Sequence, residues 1–202
     1  MKKTFMIAAA LCAAFSLAAC AQNKTKTEAE TKTETEMKSD NILVAWFSWS
    51  HNTETVAKHI AEKTGADLFR IERVKDYPTE YNACTEDAKK EVDGKIYPEI
   101  KGLPENFDKY KTIIVAAPVW WYTAPMPVMT FLEKSGLDFS GKTVIPLCTA
   151  YTGEYNCLKD IVKATPDAEH EDGICVVTKE MGGKGLESKY AEVDKWLEGL
   201  GL

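Results

Sequence analysis

The chain is poor in the residues that build metal and nucleophile sites. It has only three histidines, and its six cysteines form no C-x-x-C pair and no zinc-ligand spacing, which excludes a structural zinc module. There is no G-x-S-x-G elbow, and Ser50 and His51 are chain neighbours, so a serine-hydrolase triad finds no support. G-x-G-x-x-G is absent too, which counts against a dinucleotide-binding Rossmann unit. Basic residues are outnumbered, with 25 Lys and Arg against 31 Asp and Glu for a formal charge of −6. Without a basic stripe, that balance excludes nucleic acid as the expected partner.

Long apolar runs are scarce, and the clearest stands at the N-terminus. Lys2 and Lys3 precede Thr4 to Leu17, which runs into Leu17-Ala18-Ala19-Cys20. The run is too short to cross a bilayer and stay there, so residues 1–19 read as a cleaved export signal. Small residues ending in cysteine resemble a bacterial lipoprotein lipobox. That resemblance implies a mature N-terminus at Cys20, carrying a diacylglyceryl group and an amide-linked acyl chain. Each buried methylene contributes about 0.8 kcal/mol, so more than one chain gives lasting membrane attachment. An ordinary signal with a coincidental cysteine is the alternative. The expected location is the cell envelope, with the membrane face left open.

Residues 20–40 are almost wholly polar. They cannot bury enough apolar surface to offset their ordering entropy and read as a disordered tether. Residues 41–202 then have the size of one domain with one core. Loss of Lys2 and Lys3 takes the charge from −6 to −8, which suits solubility and equally a basic partner. Four cysteines remain in this body: Cys84, Cys148, Cys157 and Cys175. Cys148 ends an expected strand and Cys157 opens the next helix, so a disulfide between them is open; Cys175 reads as core.

Apolar patterning over residues 41–202 alternates between strand and helix. Strands are expected at Ile42 to Phe47, Asp67 to Arg73, Thr112 to Pro118, Lys142 to Thr149 and Gly173 to Thr178. Helices are expected at Thr53 to Lys63, Pro125 to Glu133, Cys157 to Ala164 and Leu186 to Leu200. Thr79 to Val92 is charged and reads as a surface excursion. His59 reads as a surface residue and His170 as part of a solvated loop. Five strands alternating with helices predict an α/β domain, a doubly wound parallel sheet covered on both faces. Ligands of such sheets sit beyond the carboxyl ends of the strands.

Three loops at those ends have unusual composition. Ser48-Trp49-Ser50-His51-Asn52-Thr53 runs from a buried strand into a helix. Its hydroxyls, its amide and the unpaired N–H groups of the helix start suit a phosphate; simple helix capping by Ser50, Asn52 or Thr53 is the alternative. The loop itself lacks a G-x-x-x-x-G-K-[ST] pattern. Pro118-Val119-Trp120-Trp121-Tyr122 carries three successive aromatics, which cannot all face a core, so at least one is expected to be exposed or stacked on a planar ligand. An aromatic cluster closing the core is the alternative. Thr149-Ala150-Tyr151, continuing to Tyr155, would wall one side of a pocket.

Ile42 to Ala57 (ILVAWFSWSHNTETVA), Pro118 to Glu133 (PVWWYTAPMPVMTFLE) and Leu147 to Tyr151 resemble the bacterial flavodoxin-like family of FMN-binding domains. The resemblance implies strand order 2-1-3-4-5, non-covalent FMN, and electron transfer by the flavin to an unidentified redox partner; pairing of two chains as a homodimer is left open by the sequence. It implies that Ser48, Ser50, Asn52 and Thr53, with Trp49 and His51 between them, hold the phosphate. Pro118 to Tyr122 would lie along the flavin ring, and Thr149 to Tyr151 would close its other side. Two residues depart from the family pattern: His51 and Tyr122 stand where glycine is common. If that glycine takes a positive φ, His51 must adopt it; otherwise a protonated His51 could pair with the phosphate. Either departure would also suit a surface lipoprotein that kept the fold without the flavin.

Overall fold

The computed structural model describes residues 41–202. The export signal, the Cys20 lipidation site and the tether expected over residues 1–40 lie outside the described residues. β1 (Ile42–Trp46) is buried at every position, as befits a strand covered on both faces. α1 (Asn52–Thr64) follows and ends at Gly65 in the left-handed conformation, the common helix stop. The order continues with β2 (Asp67–Arg70), α2 (Tyr81–Gly94), β3 (Thr112–Pro118), α3 (Met126–Glu133), β4 (Thr143–Ala150) and α4 (Cys157–Ala164). β5 (Glu169–His170), β6 (Ile174–Val177) and α5 (Tyr190–Leu200) complete it.

Every pairing in the sheet is parallel, in the order β2-β1-β3-β4, with β5 and β6 both lying along β4. This is the expected doubly wound order 2-1-3-4-5, with the fifth strand broken into two pieces. Pro146 explains the break. The Thr143 N–H donates to Lys111 O on the β3 side, so by alternation the Pro146 nitrogen faces the fifth strand, where it has no hydrogen to give. Gly173 lies against the Pro146 carbonyl so closely that a Cβ would overlap it.

The two faces of the sheet are packed differently. Leu43, Ala45 and Phe47 face an aromatic-rich layer with Tyr77, Phe131 and Phe139, under α2, α3 and α4. Ile42, Val44 and Trp46 face an aliphatic layer under α1 and α5. The alternation along β1 is the period of two that a pleated strand imposes.

Three expectations are corrected. Thr79 to Val92 is no surface excursion: α2 is a 14-residue helix whose start is capped by the Glu80 carboxylate accepting from the Asn82 and Ala83 N–H groups. Its buried stripe is Cys84, Ala88 and Glu91, too small and too charged to register as apolar periodicity. Glu91 is held by the Tyr77 hydroxyl and by Arg73 at 2.8 Å, and Arg73 lies over the Tyr77 ring at 4.3 Å. Burial pushes the Glu91 carboxyl up, against the pull of Tyr77 and Arg73. His59 is buried rather than superficial, with Nε2 2.7 Å from Asp194 Oδ1 and its ring stacked 3.7 Å from Tyr190. His170 belongs to β5, not a loop, and meets Thr165 Oγ1 at 2.9 Å. The Cys148–Cys157 disulfide, which the sequence left open, is not formed; the four cysteines are thiols. Cys148 is in register with Cys175 across β4 and β6, and the neighbouring Cys157 thiol, with burial, pushes the Cys148 thiol up.

Candidate functional site

The three loops singled out in the sequence come together at the carboxyl end of the sheet, beyond β1, β3 and β4. The first is polar. His51 is the residue before α1 and takes φ 66, with no side-chain cap on the helix. The positive φ follows the glycine-like position; capping by Ser50, Asn52 or Thr53 does not occur. Among the described residues, the Ser48 and Ser50 hydroxyls engage no hydrogen-bond partner. Together with the open N–H groups of the first helical turn they make a donor-rich stretch of chain.

The other side chains of this loop are committed. Thr53 is fully buried and its hydroxyl meets that of Thr149 at 2.7 Å, tying the first loop to the third. His51 Nδ1 lies 2.8 Å from Glu54 Oε2, and Lys58 reaches the other Glu54 oxygen at 2.6 Å. Burial works to raise the Glu54 carboxyl, but Lys58 and His51 bring it below its ordinary value. His51 is therefore turned along the helix to a carboxylate. Trp49 leaves the loop the other way, its indole N–H donating to Pro78 O at 3.0 Å.

The second loop is aromatic and tightly held. Trp120 and Thr123 exchange two backbone hydrogen bonds of 3.0 Å, closing a two-residue turn with Trp121 at φ 48 and Tyr122 at φ 68. Both signs match a type I′ turn, which ordinarily takes Asn or Gly. Left-handed backbone costs an L-residue about 1–2 kcal/mol, so neighbouring contacts must offset it. They are present. The Trp121 indole donates to Thr85 O at 2.9 Å, the Asn156 N–H donates to Tyr122 O at 3.0 Å, and the Thr123 hydroxyl donates to Asp160. The Trp120 ring packs edge-on against Phe47 and Tyr77, at 5.3 and 5.1 Å. As three consecutive aromatics require, not all are interior: Trp121 is 41% exposed and Tyr122 60% exposed.

Between these aromatics and the third loop lies a cavity of about 410 Å³, within the usual size of a small-molecule site. Trp49, Trp120, Tyr122, Tyr151 and Tyr155 give it aromatic walls. Pro118 and Val119 bring β3 up to it, and the Val119 N–H donates to Thr149 O at 2.9 Å. Ala150 lines the cavity and accepts the Thr178 N–H through its carbonyl at 2.8 Å. Two contributors escaped the sequence reading. Tyr81, Cys84, Thr85 and Ala88 of α2 form one side, and the segment Thr178 to Gly185 covers the first loop. Gly182-Gly183-Lys184-Gly185 between a strand and a helix was the available signal for that segment.

A nucleotide pattern that reading passed over is set aside by its context. Gly136 to Thr143 spells G-x-x-x-x-G-K-T, but it leads into a strand, whereas a phosphate-binding P-loop opens a helix. Lys142 is buried and donates to the carbonyls of Tyr110 and Phe107, at 2.8 and 3.3 Å.

A doubly wound sheet with a polar loop at β1, an aromatic slot at β3 and a bracing loop at β4 defines the class: a doubly wound α/β domain with an aromatic-walled cleft at the carboxyl end of its sheet. The flavodoxin family model matches residues 41–198, and the chain belongs to that family. No curated protein sequence matches it. Among solved structures, a provisionally assigned flavoprotein from Bacteroides eggerthii is similar at 26% identity and a TM-score of 0.67, over 80% of this chain and 98% of that one. A second from Bacteroides uniformis shares 24% identity, covers 78% and 97%, and has a TM-score of 0.63. A flavoprotein from Lactobacillus acidophilus, solved in complex with FMN, shares the fold at 18% identity, 78% and 98% coverage and a TM-score of 0.62.

Proposed function

We propose that this chain binds FMN non-covalently and serves in electron transfer, as a carrier or as a flavin-dependent oxidoreductase. The observation that carries the reading is the juxtaposition of the donor-rich loop Ser48 to Thr53 with the aromatic cavity bounded by its own Trp49 and by Trp120 and Tyr151. One half suits a phosphate and the other a flat amphipathic ring, and the family supports FMN as the molecule that has both. When bound, FMN would supply the one- or two-electron chemistry.

The chain's own residues bind, orient and shield. Ser48, Ser50 and the N–H groups from Ser50 to Thr53 donate to the phosphate, favoured by the helix dipole. Trp49, Trp120 and Tyr151 pack along the ring and exclude water, with Tyr122 and Tyr155 at the mouth. Thr149 and Ala150 position the third loop through the Thr53 hydroxyl and the Val119 N–H. The redox partner meets the exposed aromatic rim. An acyl anchor at Cys20 would hold the domain at the cell envelope, where membrane-borne electron donors are accessible.

The test is to mix the purified full chain with FMN and record its visible spectrum and fluorescence. The expected result is quenched emission and a shifted flavin band at equimolar FMN. An unchanged spectrum at micromolar FMN would overturn the reading. It would favour instead a surface lipoprotein that kept the fold and uses the aromatic rim for another ligand, a reading supported by the bulky Trp121-Tyr122 turn.

A further inference from the structure

The segment after β6 closes on the first loop at three points. Asn52 Nδ2 donates to Glu180 O at 2.8 Å, the Gly183 N–H donates to Asn52 Oδ1 at 2.8 Å, and the Gly182 N–H donates to Ser50 O at 2.9 Å. Both polar atoms of the Asn52 amide are thus engaged by the backbone of a strap 128 and 131 residues further along the chain. Gly183 stands at φ 74, and a Cβ there would overlap Thr55 Oγ1. That hydroxyl is itself fixed on His51 O at 2.9 Å. Only glycine lets the strap lie so close.

The geometry has a directional consequence. A trans peptide holds its carbonyl and N–H on opposite sides. With Ser50 O turned to the strap, the His51 N–H of the same peptide faces away from it. The strap therefore sets the orientation of the first loop's donors before any ligand arrives.

We propose that Asn52 and the strap Glu180 to Gly183 are a positioning clamp for the first loop: the Asn52 side-chain amide orients the loop's phosphate donors by holding the strap and is not itself a phosphate ligand. This rests on the FMN reading for the identity of the ligand. The clamp acts on the phosphate half alone, so it governs preference for FMN over riboflavin, which has the ring without the phosphate. Preorganised donors avoid an ordering cost at binding; loose ones do not.

The test uses the full chain as wild type, Asn52→Ala and Gly183→Ala. Its readouts are FMN and riboflavin affinity and amide hydrogen exchange of the unloaded protein. Each variant is expected to weaken FMN binding about tenfold, equivalent to about 1.4 kcal/mol, and to leave riboflavin affinity unchanged. Exchange at the Gly182 and Gly183 amides should accelerate in Asn52→Ala. If Asn52 is a direct ligand, Gly183→Ala frees its amide, and FMN affinity stays or rises in that variant while it falls in Asn52→Ala; this overturns the clamp. Equal weakening of FMN and riboflavin shows a merely structural contact and overturns it too. Should Gly183→Ala fail to fold, Asn52→Ala decides through its FMN-to-riboflavin ratio and exchange. If the wild type binds neither flavin, the FMN reading falls by itself, and unchanged exchange in Asn52→Ala overturns the clamp separately.

Discussion

The two halves of the site solve opposite problems. The phosphate half, Ser48 to Thr53, is built from small polar residues, and a single unfavourable backbone angle at His51 is accepted there with the side chain left exposed against Glu54. The aromatic half, Trp120 to Thr123, places two bulky residues at positive φ and surrounds them with hydrogen bonds from α2 and α4. A donor pocket needs open N–H groups, so its neighbours must stay clear of it. A ring slot needs a fixed gap between flat surfaces, so its walls must be braced from behind. The first half owes its order to Asn52 and Thr53, the second to a network that reaches the core.

The largest expected effect lies behind the aromatic half. Glu91→Ala would leave Arg73, whose side chain is 15% exposed, without its carboxylate, and would take the acceptor from Tyr77. Losing one partner of a buried pair costs about 3–5 kcal/mol, to be read from urea denaturation followed by circular dichroism. A loss below about 1 kcal/mol would show that the bracing of Trp120 through Tyr77 is weak, and the contrast between the halves would collapse.

Thr53→Val tests the tie between the halves. It strands the Thr149 hydroxyl in a buried position and should cost about 1–3 kcal/mol, while the double variant with Thr149→Val should be closer to neutral. Additive losses, with the double variant costing the sum of the two single ones, would mean that the pair contributes nothing jointly. Smaller again is His51→Gly. Relief of about 1–2 kcal/mol of left-handed strain is partly or wholly offset by about 0.5–1 kcal/mol of added chain entropy, for a gain of at most about 1.5 kcal/mol, read from thermal melting. Tyr122→Gly should gain less or lose, because the edge contact with Tyr155 at 4.9 Å disappears with the ring.

The smallest effect is a slope in pH. The folded Glu54 carboxyl lies below its ordinary value: burial pushes it up, but Lys58 and His51 outweigh that. A depressed carboxylate contributes stability above its unfolded value, near pH 4.3, and loses it as pH falls through the lower folded value. Melting temperature should therefore drop more steeply below that pH in the wild type than in Glu54→Gln. Parallel curves would show that His51 and Lys58 do not hold Glu54 in solution.

The polar half was more legible in the sequence than the aromatic half. Ser48 to Thr53 sit between a buried strand and a helix, and local chain geometry alone dictates that such a loop faces the end of the sheet. The positive φ of His51 was readable from its glycine-like position. Trp120 to Tyr122 could be recognised as partly exposed, but not as a strained turn, because its hydrogen bonds come from Thr85 and Asn156, distant in the chain. α2 was missed because its inward stripe is Cys84, Ala88 and Glu91, and the strap because three bonds to Ser50 and Asn52 leave no periodic trace. Order 2-1-3-4-5 followed from five alternating strands and the family resemblance; the break in the fifth strand depends on which side the Pro146 nitrogen faces, which alternation alone does not give.

The most direct test of one ligand spanning both halves is a titration of the full chain with FMN, followed through its backbone amide NMR signals. The signals of Ser50 to Thr53 and those of Trp120 to Tyr122 should shift together, in one saturable event with one molecule per chain. Shifts confined to one half, or separate saturation of the two, would contradict a shared FMN site.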